Sequence, residues 1–204
     1  MTRILQNSSR VAWAAAADEY KIRAPIATVV TGEVIAGTTV AMGANSSVTG
    51  PVTAGTTVAM GADSYVVGDV TSVHSSVTLG VGAYVIGNTV ADSSATLGAD
   101  AYACGNVKAP ASATLGAGSF VSGGLETTTS TVAAGGFVLG LIKGTTATLG
   151  ANACYDFIDA STITRGAGAG ECGDTANGVN TDTSRGESST SSGTSNNKCA
   201  SPSS

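Results

Sequence analysis

From Val30 onward, apolar and polar residues alternate in short runs, and the runs themselves recur about every 18 residues. Seven copies follow one another, at 30–47, 48–65, 66–84, 85–102, 103–120, 121–137 and 138–155. The third is one residue longer than the rest and the sixth one shorter, differences that a corner loop absorbs. Their shared pattern is V-x-G-x-V-x-A-x-x-S/T-V-x-L/M-G-A-x-x-Y. Period-two alternation places every second side chain on one face of a strand. Three inward sets result. The first strand contributes Val30, Val48, Val66, Val85 and Val121, and the second Val34, Val52, Val70, Val107 and Leu125. The third contributes pairs such as Val58 and Met60, Val77 and Leu79, Ala95 and Leu97, and Ala113 and Leu115. Gly32, Gly50, Gly68, Gly87 and Gly105 separate the first two strands, and Gly43, Gly61, Gly80, Gly98 and Gly116 mark a corner. Asn45, Asp63, Asp100 and Asn152 mark what reads as a second corner, since Asx residues favour turns. The expected fold is all-β: a single-stranded triangular β-solenoid of seven coils spanning 30–155, with a right-handed β-helix favoured over a left-handed one. Internal repetition of this kind signals an architecture in which each coil buries its side chains against the next.

Two flanking segments depart from the repeat. Residues 10–21, RVAWAAAADEYK, read as a short N-terminal α-helix within a 1–29 segment, with Ser8 or Ser9 as cap and Pro25 beyond its end. A helix this short needs a surface to pack on. Trp13 and Tyr20 fit it to cover the first coil or, as the alternative, to lie along an aromatic ladder on the side of the rod. The segment 156–204 is rich in Gly, Ser, Thr and Asn and is expected to be a disordered tail.

The outward positions divide into faces. Beside the inward residues of the third strand stand Thr39 and Ala41, Thr57 and Ala59, Ser76 and Thr78, Ser94 and Thr96, and Ser112 and Thr114. Thr131 and Ala133, with Thr146 and Thr148, complete this uncharged ladder of hydroxyl and methyl groups. Around the first strand runs an aromatic ladder of Tyr65, Tyr84, Tyr102, Phe120, Phe137 and Tyr155, with Val67, Ile86 and Leu139 beside it. The remaining face is mixed and carries Lys108, Glu126 and Lys143.

Composition narrows the function. Charged residues make up 11% of the chain and aromatic residues 4%, too few large side chains for an ordinary packed sandwich. A net charge of −5 disfavours nucleic acid and anionic membranes as partners. No run is long enough for a membrane span. His74 is the sole histidine and has no acidic partner in its coil, and Asp63, Asp69, Asp92 and Asp100 fall at corners or loops. The spacing of Cys104, Cys154, Cys172 and Cys199 matches no metal-finger pattern. A Cys154–Cys172 disulfide and four isolated small residues are equal readings of these cysteines. The chain therefore reads as a non-enzyme with no catalytic residue, cofactor or metal. Hexapeptide acyltransferases share the 18-residue period, but they generally rely on a histidine base and an inserted loop or extra domain.

The segment SSATLGADAYACGNVKA (93–109) resembles coils of the microbial ice-binding proteins with a right-handed β-helix. That resemblance implies an ice-binding function on a flat solenoid side, with ice or ordered water as the partner, and an α-helix lying along the rod. The V-x-G-x-V runs also resemble bactofilins, which implies self-association into cytoskeletal filaments. A cell-surface adhesin or stalk is a third reading. The first and third imply an extracellular protein and the second a cytoplasmic one. Met1 to Arg10 lacks the apolar stretch of a secretory signal, which leaves an incomplete N-terminus as the expectation for export.

Overall fold

The computed structural model describes residues 2–4, 21–172 and 199. It is an all-β solenoid of about eight coils in which every strand pairs in parallel with its counterpart one coil away. Each coil contributes three short strands. The first-strand row contains Val29–Thr31, Ser47–Thr49, Tyr65–Val67, Tyr84–Ile86, Tyr102–Ala103 and Phe120–Val121. The second-strand row contains Val34–Ala36, Val52–Ala54, Val70–Ser72, Thr89–Ala91, Val107–Lys108 and Leu125–Glu126. The third contains Val40–Met42, Val58–Met60, Val77–Leu79, Ser94–Leu97, Ser112–Leu115 and Thr129–Val132. Two long strands, Phe137–Leu149 and Cys154–Arg165, then run through all three rows. Among the described residues, no helix is long and apolar enough to cross a membrane.

The core is a column of the predicted inward residues. Val48, Val66, Val85, Val52, Val70, Val58, Val77, Leu79, Leu97 and Leu115 are all buried. Small β-branched and γ-branched side chains suffice because the interior is only one coil wide, and each coil packs on those above and below. Thr89 and Ser119 each bury a hydroxyl that has no hydrogen-bond partner among the described residues. Thr89 stands in register with Val70 and Val107, fully buried. A buried hydroxyl without a partner costs free energy that an isosteric methyl does not. Thr89→Val is therefore expected to raise stability by about 1 kcal/mol, read as a higher midpoint in urea unfolding at unchanged slope.

The corners explain the repeat's glycines and Asx residues. Ala27, Asn45, Asp63, Asp100 and Asn152 share a left-handed conformation, with φ between 53° and 58°. Gly82, Gly118, Gly135 and Gly168 take the same conformation in the other coils, φ 65° to 70°. Asn and Asp tolerate this region better than other side chains. The Asx positions lie two residues after the corner glycines, in one turn. They therefore do not form a second corner.

Two boundaries differ from the sequence reading. Solenoid pairing continues past 155: Leu141–Gly144 pairs with Phe157–Ala160, and Thr146–Leu149 pairs with Thr162–Arg165. Residues 156–172 thus form an eighth coil, and not the beginning of a tail. At the other end, Lys21–Ala24 pairs with Val40–Met42 and Thr2–Ile4 pairs with Lys21–Arg23, so the third-strand row begins before residue 30. The helix expected over 10–21 lies outside the described residues except for Lys21, which opens a strand.

Candidate functional site

The third-strand face carries two outward columns. Parallel pairing holds Thr78 beside Ala59 and Thr96, and Ser94 beside Ser112, with Thr114 beside Thr96. Further along, Thr129 pairs with Ser112 and Thr146, and Thr131 with Thr114 and Thr148. Thr162 and Thr164 extend both columns onto the eighth coil. From Ser76 to Thr164 the face thus reads S/T-x-T on six successive coils. Neighbouring hydroxyl positions are about 4.8 Å apart between coils and about 6.7 Å apart along a strand. Thr39, Ala41, Thr57 and Ala59 continue the array on the two coils before it. No charged residue interrupts either column between Thr39 and Thr164. Lys21 and Arg23 occupy the next register positions and end the uncharged stretch.

The backbone fixes this array. The inward neighbours Val77, Ala95, Ala113 and Ala147 are buried, so the outward hydroxyls cannot rotate into the core. Thr78, Thr96, Thr114, Thr162 and Thr164 are exposed, and Ser76, Ser94 and Ser112 half-buried. Part of the inner column is hydrogen-bonded to itself: Ser112 Oγ donates to Ser94 Oγ at 3.0 Å, and Ser93 and Ser94 hydroxyls lie 3.4 Å apart. Near the N-terminal coils the Thr39 and Thr56 hydroxyls are 3.4 Å apart, and Thr56 donates to the Thr38 carbonyl at 3.0 Å. Thr78, Thr96, Thr114 and Thr164 of the outer column face solvent, while Thr131 and Thr148 between them are half-buried.

The sixth coil corrects one pair of assigned residues. Thr131 lies in the column of Thr114, and not in that of Ser112, while Ala133 takes the corner position otherwise held by Gly116 and Gly150. The coil's missing residue falls between Glu126 and Thr129, at the corner before the third strand. The strand is therefore displaced by two relative to an alignment on Val132. Ser130 becomes the buried residue opposite Ala113, and Thr129 joins the face. Thr129, Thr162 and Thr164 were missed by the sequence reading. The T-x-T spacing around Ser130 and Ile163 was the available signal.

The other faces differ in chemistry. On the first-strand face Tyr65, Tyr84, Tyr102, Phe120 and Phe137 form a register column, with Tyr65 and Tyr84 stacked at 4.9 Å. Burial, then the neighbouring Tyr65, pushes the Tyr84 hydroxyl's pKa up. Tyr155 does not belong to this ladder. It pairs with Val138 and is buried, while Cys154 stands opposite Phe137. Its hydroxyl accepts hydrogen bonds from Arg165 Nη2 at 2.9 Å and Nε at 3.2 Å in the last described coil. Both disulfides are formed, Cys154 with Cys172 and Cys104 with Cys199.

On the second-strand face runs a ladder of Asx side chains. Asn88 donates from its backbone and side-chain nitrogens to Asp69 Oδ1, Asn106 does the same to Asn88 Oδ1, and the Gly124 amide donates to Asn106 Oδ1 at 2.8 Å. These bonds satisfy corner amides from coil to coil, so Asp69 has a structural role. His74 is exposed in the corner that takes up the third coil's extra residue, between Ser72 and Val77. Among the described residues no three His, Cys, Asp or Glu side chains gather to hold a metal ion.

No family model, curated protein or solved structure matches the chain.

Proposed function

We propose that the protein binds ice through its third-strand face. The observation that carries this reading is the paired column of hydroxyls, in register over six coils, uncharged and held on a rigid parallel sheet. One hydroxyl gains little by exchanging one water for another. A pre-ordered array is different, because its positions are fixed before binding and little conformational entropy is lost when it orders a layer of water. Threonine adds a methyl beside each hydroxyl, so the face both hydrogen-bonds and presents apolar surface. Absence of charge helps as well, since an ion holds its own hydration shell more tightly than a hydroxyl does.

Export to an oxidising compartment belongs to the same reading, and the two disulfides support it. A discrete rod is favoured over end-to-end polymerisation by the last described coil, where Arg165 reaches back to Tyr155 and Cys172 is bonded to Cys154. The test is a seed ice crystal grown in dilute purified protein. Faceted crystals and a gap between melting and growth temperatures are expected. Rounded growth at the equilibrium melting point rejects the reading.

A further inference from the structure

The second-strand face carries an alternating charge column that has no counterpart on the other faces. Lys108, Glu126, Lys143 and Asp159 stand in register on four successive coils, positive, negative, positive, negative. Lys108 and Glu126 form an ion pair at 3.4 Å, with both side chains more than half exposed. Lys143 and Asp159 have no ion-pair partner among the described residues. The neighbouring outward column on the same coils is Asn106, Gly124, Leu141 and Phe157. Leu141 is 41% exposed and Phe157 50% exposed, and they are register partners. A shallow groove lies over Gly124, lined by Asn106, Lys108, Glu126, Leu141 and Lys143.

We propose that this face binds a second copy of the same chain, antiparallel, about a two-fold axis lying in the face between the coils of Glu126 and Lys143. Such an axis reverses the rod and leaves each column facing itself. Reversing the sequence of charges turns plus-minus-plus-minus into minus-plus-minus-plus. Lys108 then meets the partner's Asp159, and Glu126 meets the partner's Lys143, each contact occurring twice. The second column is complementary in shape under the same operation. Leu141 faces the partner's Gly124, whose missing side chain leaves the groove it enters, and Phe157 faces the partner's Asn106. Isologous two-fold contacts require this self-complementarity. Only four coils overlap among the described residues, which is less surface than a permanent dimer needs. The association is therefore weak, reversible and salt-sensitive. It leaves the threonine face of both copies uncovered and does not depend on what that face binds.

Sedimentation equilibrium of the full chain, at low ionic strength and up to about 1 mM protein, tests the proposal. A monomer–dimer equilibrium that shifts toward monomer with added salt is expected. Lys143→Glu places like charges across both central contacts and should weaken the dimer on the order of tenfold or more. Adding Glu126→Lys to that variant restores opposite charges across the interface and should recover the dimer, although it breaks the pair with Lys108 within each chain. Thermal melts check that both variants remain folded, as expected for exposed positions. Monomer at every concentration overturns the proposal. So does a dimer indifferent to Lys143→Glu, or a double variant no stronger than the single one.

Discussion

Replacing Thr96 and Thr114 together with tyrosine is expected to reduce the growth-temperature gap about tenfold or more and to return ice crystals to rounded growth. The two residues are adjacent in the exposed column, near the middle of the six-coil array. A phenol ring at each site stands above the plane of the neighbouring methyls and hydroxyls and lifts the ice surface off several coils at once. The effect therefore exceeds the loss of two hydroxyls, because a flat rigid contact is lost along with them. Folding should be spared: both side chains point to solvent, and substitutions at such positions usually change stability by about 0.5 kcal/mol or less. Thr53→Tyr serves as a control, since Thr53 is an outward residue of the second-strand row, paired with Thr71. If Thr53→Tyr abolishes ice shaping and the double variant leaves it intact, the binding face has been assigned to the wrong side of the rod.

The largest effect on folding is expected from Gly68→Val. Gly68 has φ +146°, a conformation that residues with a Cβ rarely adopt. An added Cβ would lie 2.6 Å from the carbonyl carbon of Gly50 and 2.8 Å from the nitrogen of Pro51, both backbone atoms of the preceding coil. Neither can move aside without breaking the ladder between the coils. The backbone strain alone costs about 1–3 kcal/mol. The displacement of two neighbouring coils adds to it, against a total stability of about 5–15 kcal/mol. A fall in melting temperature of about 10 °C or more, or insoluble protein, is the expected outcome. Gly170→Ala provides the contrast: an added Cβ there meets nothing within 4 Å among the described residues. Its melting temperature should match that of the unmodified protein, and equal losses in the two variants would show that steric clash between coils is not what the glycines prevent.

Much of this architecture was legible in the chain. The alternation of Val48, Val52, Val58 and Met60 with polar neighbours is a local signal, and the 18-residue period repeats it until only a stacked solenoid accommodates it. The threonine face was legible for the same reason: Ser94 and Ser112, Thr96 and Thr114 are separated by one period, so regular coils bring them into register. Where the period failed, so did the reading. The missing residue of the sixth coil fits any corner on sequence grounds, and an alignment on Val132 put Thr131 and Ala133 in the wrong columns. The eighth coil was unreadable for another reason. Asp156–Arg165 has Ile158 and Ile163 as its large aliphatic residues, too little for a segment judged alone, yet it pairs along a strand already formed from Phe137 to Leu149.

Sequence alone determined the period, the inward residues and the uncharged hydroxyl ladder, because alternation and repeat spacing are local properties of a strand. Tertiary structure decided which corner absorbs a length change, that Tyr155 turns inward to meet Arg165, and that Cys104 pairs with Cys199, 95 residues away. It also decided that four charges spread over 52 residues of chain, Lys108 to Asp159, become one alternating column. Each of these depends on which residues lie one coil apart. Stacking sets that neighbourhood, through hydrogen bonds and packing between segments far apart in the chain.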